Sequence, residues 1–285
     1  MPFVNAAIVP VYILRLRAIL SKNIYADIAK AKQLGIISGK VIREHFALFM
    51  ARLLNDKFKS YQTNAYIRKY EQSVVIIVLY DEKGQVERQG SGFITSNNLI
   101  ATSFENIRGG VKAEAFVEGT GETFLLEGVV DYNEDYDVAL LKPVNKIGRP
   151  SLLFEKYSTI KLSDTIYAFG FNNVVYPKFR DFREGKVEDL LEVEMDSGDF
   201  KIIESLTKFD YGPDYYGGPL LNAKGYVIGM TSDALYDINQ IAHYYAISSD
   251  HIDAMVEPYR EIKFSNIEVE SFSDMPGYGY VGEDE

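Results

Sequence analysis

A chain of 285 residues is long enough for one large domain or two ordinary ones, and its 47% hydrophobic and 25% charged content is that of a globular protein. With no cysteine, disulfides, zinc–thiolate sites and thiol catalysis are excluded, and three histidines (His45, His243 and His251) leave little room for a histidine-rich metal site. The net charge of −11 is unevenly spread: residues 1–72 hold 12 Lys/Arg against 4 Asp/Glu, and the remainder 18 against 37, so a basic arm precedes an acidic body whose field repels nucleic-acid phosphates.

Residues 1–72 show helical spacing. Ile24, Ile28, Ala31 and Leu34 recur at three- and four-residue steps, and so do Ile42, Phe46, Phe49 and Leu53. Gly35 and Gly39 divide the region into two or three helices, and Pro10 breaks or kinks the first. The apolar run Val4 to Leu14 is shorter than the ~20 residues of a membrane span, and no small-residue cleavage site follows it. Arg15, Arg17 and Lys22 precede the first acidic residue, Asp27, a pattern similar to a mitochondrial targeting segment; a buried basic amphipathic helix is the alternative.

From residue 73 the texture changes to short β-rich runs between turns. Strands are predicted over Ser73–Tyr80, Gly92–Ile94, Leu99–Ser103, Ala113–Val117, Phe124–Tyr132, Asp137–Leu141, Thr165–Ala168, Lys186–Val193, Phe200–Ser205, Gly225–Met230 and His243–Ala246. Strands at this spacing indicate a barrel or a sandwich. Asp250–Tyr259 is predicted as a closing helix, and the acidic tail after Ile262 has no core of its own.

Three segments narrow the choice. Gly90-Ser91-Gly92-Phe93-Ile94 leads to Leu99-Ile100-Ala101-Thr102-Ser103-Phe104-Glu105-Asn106-Ile107; Asp135-Tyr136-Asp137-Val138-Ala139-Leu140-Leu141-Lys142 follows; and Pro213-Asp214-Tyr215-Tyr216-Gly217-Gly218-Pro219-Leu220 precedes Gly225-Tyr226-Val227-Ile228-Gly229-Met230. In this order they resemble the trypsin-like serine proteases of the Deg, or high-temperature-requirement, type. The resemblance covers roughly residues 73–260. It implies a mainly β fold, a trypsin-like double antiparallel β-barrel preceded by an α-helical N-terminal arm: arm 1–72, barrels over 73–158 and 159–262, and an acidic tail 263–285. It also places Glu105 where the catalytic histidine stands, Asp137 at the catalytic aspartate, Tyr216 at the nucleophilic serine, and Asp214 at an oxyanion-hole glycine.

That set cannot carry acyl transfer as the resemblance would have it. The chemistry needs a hydroxyl nucleophile, a base that takes its proton and a group that orients the base. A carboxylate at 105 is too weak a base, the phenol of Tyr216 is too large for the nucleophile pocket, and Asp214 adds negative charge where the transition state concentrates it. The expectation is a degenerate protease with no catalytic residue, cofactor or resident metal. Glu105, Asp137 and Tyr216 are expected to form a satisfied polar cluster with Tyr216 as donor; a hard cation such as Ca²⁺ or Mg²⁺ on the carboxylate oxygens is the alternative. His243, His251 and His45 are read as packed or surface residues. The expected function is a structural or scaffolding subunit of a larger, mitochondrial assembly, with other protein subunits held by the basic arm and acidic tail and no small-molecule substrate. Contact of residues 1–72 with a membrane surface or nucleic acid stays open, as do a peptide-binding role for the old cleft and a hydrolase with a relocated site.

Overall fold

The computed structural model describes residues 69–117, 122–172, 179–195, 198–206, 216–236 and 242–277, all within one compact unit, Ile67–Glu285. The expected helical arm, up to residue 68, lies outside the described residues, as does residue 214. Among the described residues no helix is long and apolar enough to cross a membrane.

Twelve strands among the described residues close into two antiparallel barrels. The first contains β1 (Val74–Tyr80), β2 (Val86–Ile94), β3 (Ile100–Thr102), β4 (Lys112–Val117), β5 (Glu122–Asn133) and β6 (Val138–Pro143). Its spatial order is β1-β2-β3-β6-β5-β4. The second contains β7 (Thr165–Asn172), β8 (Phe179–Met195), β9 (Gly198–Leu206), β10 (Pro219–Asn222), β11 (Val227–Tyr236) and β12 (Ala242–Ser248). Its order, β7-β8-β9-β12-β11-β10, repeats that of the first although the sequence shows no repeat. Closure leaves neither sheet with a long open edge.

Two-sided burial explains why β1 reads as the unbroken apolar run Val74 to Leu79. Val75, Ile77 and Leu79 fill the interior of the first barrel with Ile94, Ile100, Phe104 and Leu141. Val74, Ile76 and Val78 point the other way, into a cluster shared with Tyr167, Phe169, Phe171, Leu221, Val227 and Met230 of the second barrel. That shared layer fixes the two barrels against each other, and with them the loops that build the site. A separate cluster around Ile166, Ile203, Leu220 and Ile228 fills the second barrel.

Several elements differ from the sequence expectation: β2 starts at Val86 and not at Gly92, and β11 runs from Val227 to Tyr236 and not from Gly225 to Met230. Strand β10 starts at Pro219, in what reads as a turn; it pairs with β7 through Leu220↔Ala168 and with β11 through Leu220↔Gly229. β8 is about twice as long as predicted, because it pairs first with β7 (Phe179 to Lys186) and then with β9 (Lys186 to Met195).

Helix α1 (Ser249–Val256) begins with Ser248 accepting the N–H of Asp250 on its side chain and buries Ile252 and Val256 in the inter-barrel layer. The tail beyond it has no core of its own but borrows that of the first barrel. Ile267, Phe272 and Met275 are buried, and Phe272 and Met275 join the interior cluster.

Candidate functional site

The site lies where the end of β3 and the following 3-10 turn (Phe104–Asn106), the β5–β6 connection and the turn before β10 meet. Asp137 precedes β6 with φ 50°, a left-handed conformation that aspartate tolerates better than most residues. Its carboxylate accepts the Ser103 hydroxyl at 2.7 Å to each oxygen and the Glu105 N–H at 3.0 Å. Ser232, at the register shift in β11, contributes a longer contact at 3.5 Å to Oδ2. Burial is the largest influence on Asp137 and pushes its carboxyl above the usual range; the donated bonds from Glu105 and Ser103 oppose it, and the nearby Glu105 charge adds to it.

Glu105 thus meets Asp137 through its main chain, while its side chain turns to two arginines. Arg88 Nη1 lies 3.1 Å from Oε2 and Arg108 Nη1 2.8 Å from Oε1. Arg88 also donates to the Glu105 carbonyl, and Arg108 continues the chain to Glu134. The arginine guanidinium of 108 covers the Phe104 ring at 5.0 Å. Two guanidiniums hold a carboxylate that is 42% exposed, so the charge is neutralised without being buried.

Tyr216 is placed by its backbone. Its carbonyl accepts the Ser91 N–H at 3.0 Å and Asn106 Nδ2 at 2.8 Å. Asn106 also donates to Thr102 Oγ1 at 3.0 Å, and Thr102 donates to the Ser91 carbonyl at 2.7 Å. Gly217 follows with φ 85°, and a Cβ there would stand 2.3 Å from the Ser91 carbonyl and 2.7 Å from the Ser103 N–H. Only glycine lets the turn press this closely on the first barrel.

Positions 105 and 137 thus meet through the Glu105 main chain, and the Tyr216 carbonyl is tied to Asn106 and Ser91. The hydroxyl donor to Asp137 is Ser103, not Tyr216, because Ser103 stands at the turn that follows β3, two residues before the Glu105 N–H that also binds the carboxylate. The roles of Ser103, Arg88, Arg108 and Asn106 have one signal in the sequence, a hydroxyl two residues before position 105. Ser103 is wholly buried, so its hydroxyl is a structural donor and not a group a substrate can reach. A cation on Glu105 would have to displace two arginines. Among the described residues no group of three or more His, Asp or Glu is arranged to hold a metal. His251 lies in α1, accepts the Lys201 N–H on Nε2 at 2.9 Å and packs on the Tyr136 and Phe200 rings; burial holds its imidazole below the usual range.

Two six-stranded closed barrels of matching order are the architecture of a trypsin-like double barrel. Residues 90–230 match the trypsin-like peptidase domain family. Among solved structures, the HtrA-type protease AlgW with tripeptide aligns with a TM-score of 0.57 at 16% identity, over 68% of this chain and 62% of that one. The active form of the Rv3671c protease of M. tuberculosis aligns with a TM-score of 0.58 at 18% identity, over 74% and 88%. Identities this low show the fold alone. Among curated proteins, the anti-sigma-I factor RsgI9 of Acetivibrio thermocellus is 27% identical over 203 residues, which is 70% of this chain and 26% of the relative. The chain thus spans about a quarter of that relative's length.

Proposed function

We propose that this domain is a pseudoprotease: a trypsin-like fold without peptidase chemistry, serving as a structural or scaffolding module in a larger protein assembly. The observation that carries the reading is Glu105. At the position where a base oriented by residue 137 would take the proton of a nucleophile at 216, a carboxylate is tied to Arg88 and Arg108 and meets Asp137 only through its main chain. No side chain there can take a proton from a nucleophile and return it to a leaving amine. Position 216 supplies a phenol in place of a small hydroxyl, and Asp214 stands in the sequence where a transition-state oxyanion would form.

A binding role is favoured by the curated relative, which bears the name of an anti-sigma factor and not of a peptidase. A protein-binding module also suits a chain whose first 72 residues are basic and whose remainder is acidic.

The test combines activity and mass. Purified full-length protein is incubated with casein and with a fluorophosphonate probe for reactive serines, and the endogenous particle is weighed by native mass spectrometry. The expected result is no cleavage, no labelling and a mass well above the 32.3 kDa of one chain. Hydrolysis that disappears in Glu105→Gln or Tyr216→Phe overturns the non-catalytic reading, and a free monomer overturns the scaffold.

A further inference from the structure

Beyond α1 the chain crosses back to the first barrel and is pinned there. Asn97, itself at φ 57°, donates from Nδ2 to the carbonyls of Tyr259 (2.9 Å) and Ile262 (2.7 Å). Residues 264–277 then run across β5. The β4–β5 pairing ends at Glu114↔Leu125, so the edge of β5 that faces β4 is vacated beyond that point. Glu270 occupies it: Val129 N–H donates to the Glu270 carbonyl at 2.9 Å and Glu270 N–H to the Val129 carbonyl at 2.8 Å.

The floor is shaped for this contact. Gly128 has no Cβ, and one would stand 2.3 Å from the Glu270 carbonyl oxygen. Lys142, almost fully buried, donates from Nζ to the Ile267 carbonyl at 2.8 Å while pairing with Glu127 at 2.9 Å. Ile267, Phe272 and Met275 sink their side chains, the last two into the cluster containing Leu126 and Val129. The other eleven residues of the strap are half-buried or exposed.

We infer that this vacated edge and the apolar furrow beside it form a peptide-binding site of the first barrel, filled in cis by residues 264–277 and able to accept an extended segment with large apolar residues at the spacing of Ile267, Phe272 and Met275. The mode is strand addition: backbone bonds to Val129 and a cationic donor on a backbone carbonyl give affinity without regard to sequence, and the side-chain pockets give selectivity. Two paired backbone bonds and three buried side chains place the strap at the low-stability end of the fold, where local opening precedes global unfolding. Asn97 holds its root while it opens, so the high local concentration keeps the site occupied in cis until a competitor arrives. The inference stands on the first barrel alone and is independent of whether the domain is catalytic.

The experiment uses the full chain in two arms. In the first, hydrogen exchange is followed in wild type and Lys142→Met. The substitution is expected to speed exchange of peptides spanning 264–277 and 126–131 together by tenfold or more, with the second barrel unchanged. In the second, a fluorescent peptide of the sequence Phe264 to Gly277 is titrated into wild type and into F272A/M275A, which weakens the strap and leaves the furrow intact. At least tenfold tighter binding to the double variant, absent for a scrambled peptide, is expected. Equal binding to both proteins overturns the site. If F272A/M275A loses its near-ultraviolet signal, the first arm decides: exchange of the strap only together with both barrels overturns the inference.

Discussion

The Ser103 hydroxyl lies 2.7 Å from both carboxylate oxygens of Asp137, so the serine that follows β3 is the close side-chain donor to this carboxylate. The pairing makes Asp137 a fixed part of the barrel. Ser103→Ala leaves a largely buried carboxylate short of a donor, and is expected to cost about 1–3 kcal/mol in urea unfolding. The pH dependence follows from the raised carboxyl of Asp137. A group that holds its proton more tightly folded than unfolded contributes stability that is complete below its unfolded pKa and is lost as pH rises through the folded value. The Ser103→Ala cost is therefore larger at pH 7 than at pH 4, and an equal cost at both would mean that Ser103 does not act through the ionised carboxylate.

Glu105 behaves differently, because its carboxylate is 42% exposed and its ion pairs are screened. Glu105→Gln is expected to lower stability by less than about 1 kcal/mol, with a smaller effect in high salt. A loss of several kcal/mol, measured by the same unfolding experiment, would show that the Arg88–Glu105–Arg108 chain is a core element of the site and not a surface one.

How far these relationships were legible depends on their range along the chain. The strands of the first barrel announce themselves through apolar runs such as Val74 to Leu79, and the order of positions 105, 137 and 216 through their flanking motifs. The partners of Glu105 did not, since Arg88 is 17 residues away on another strand and is recognisable only once β2 and the turn after β3 are neighbours. β10 was hidden by its brevity and by Pro219, which is tolerated at a strand's first residue. The strap was hidden for another reason. Ile267, Phe272 and Met275 follow neither a helical nor a strand period, because they fit a furrow made by other parts of the chain.

Tyr157 provides an alkaline marker of the second barrel. Its hydroxyl donates to the Leu191 carbonyl at 3.1 Å. Burial, with added repulsion from Glu192, Asp189 and Asp250, pushes its phenol up to about 12. Protonated Tyr157 therefore contributes stability that is complete below the ordinary tyrosine range near ~10 and is lost as pH rises toward 12. Wild type is expected to lose stability steeply across that window, and Tyr157→Phe to show a shallower slope in the same series of unfolding curves. Identical slopes would assign the alkaline loss to other tyrosines.

Gly217 is a sensitive position of the turn before β10. With φ 85° and a would-be Cβ 2.3 Å from the Ser91 carbonyl, Gly217→Ala forces apart the turn and β2, two rigid backbones. The expected cost is about 2–4 kcal/mol in thermal unfolding, beyond that of an ordinary surface substitution. Gly109 makes the control, since it also has positive φ (86°) but an added methyl group there would meet nothing within 4 Å. Gly109→Ala should therefore cost only the conformational part, about 1 kcal/mol.

The proposal that positions 105, 214 and 216 lack the reacting groups of a trypsin-like fold can be examined by introducing them. Asp137 is in place beside the N–H of Glu105, and the carbonyl of Tyr216 is anchored by Ser91 and Asn106. A histidine at 105 would need to leave the arginines and reach Asp137, and a serine at 216 would need a neutral turn before it for the oxyanion. E105H alone and E105H/Y216S are accordingly expected to stay unlabelled by a fluorophosphonate probe, the second because position 214 keeps an aspartate where the family resemblance puts an oxyanion-hole glycine. E105H/D214G/Y216S should gain slow labelling that rises with pH as the imidazole loses its proton. Labelling of the wild-type chain would instead locate a nucleophile outside positions 105, 137 and 216 and revive the reading of a relocated active site.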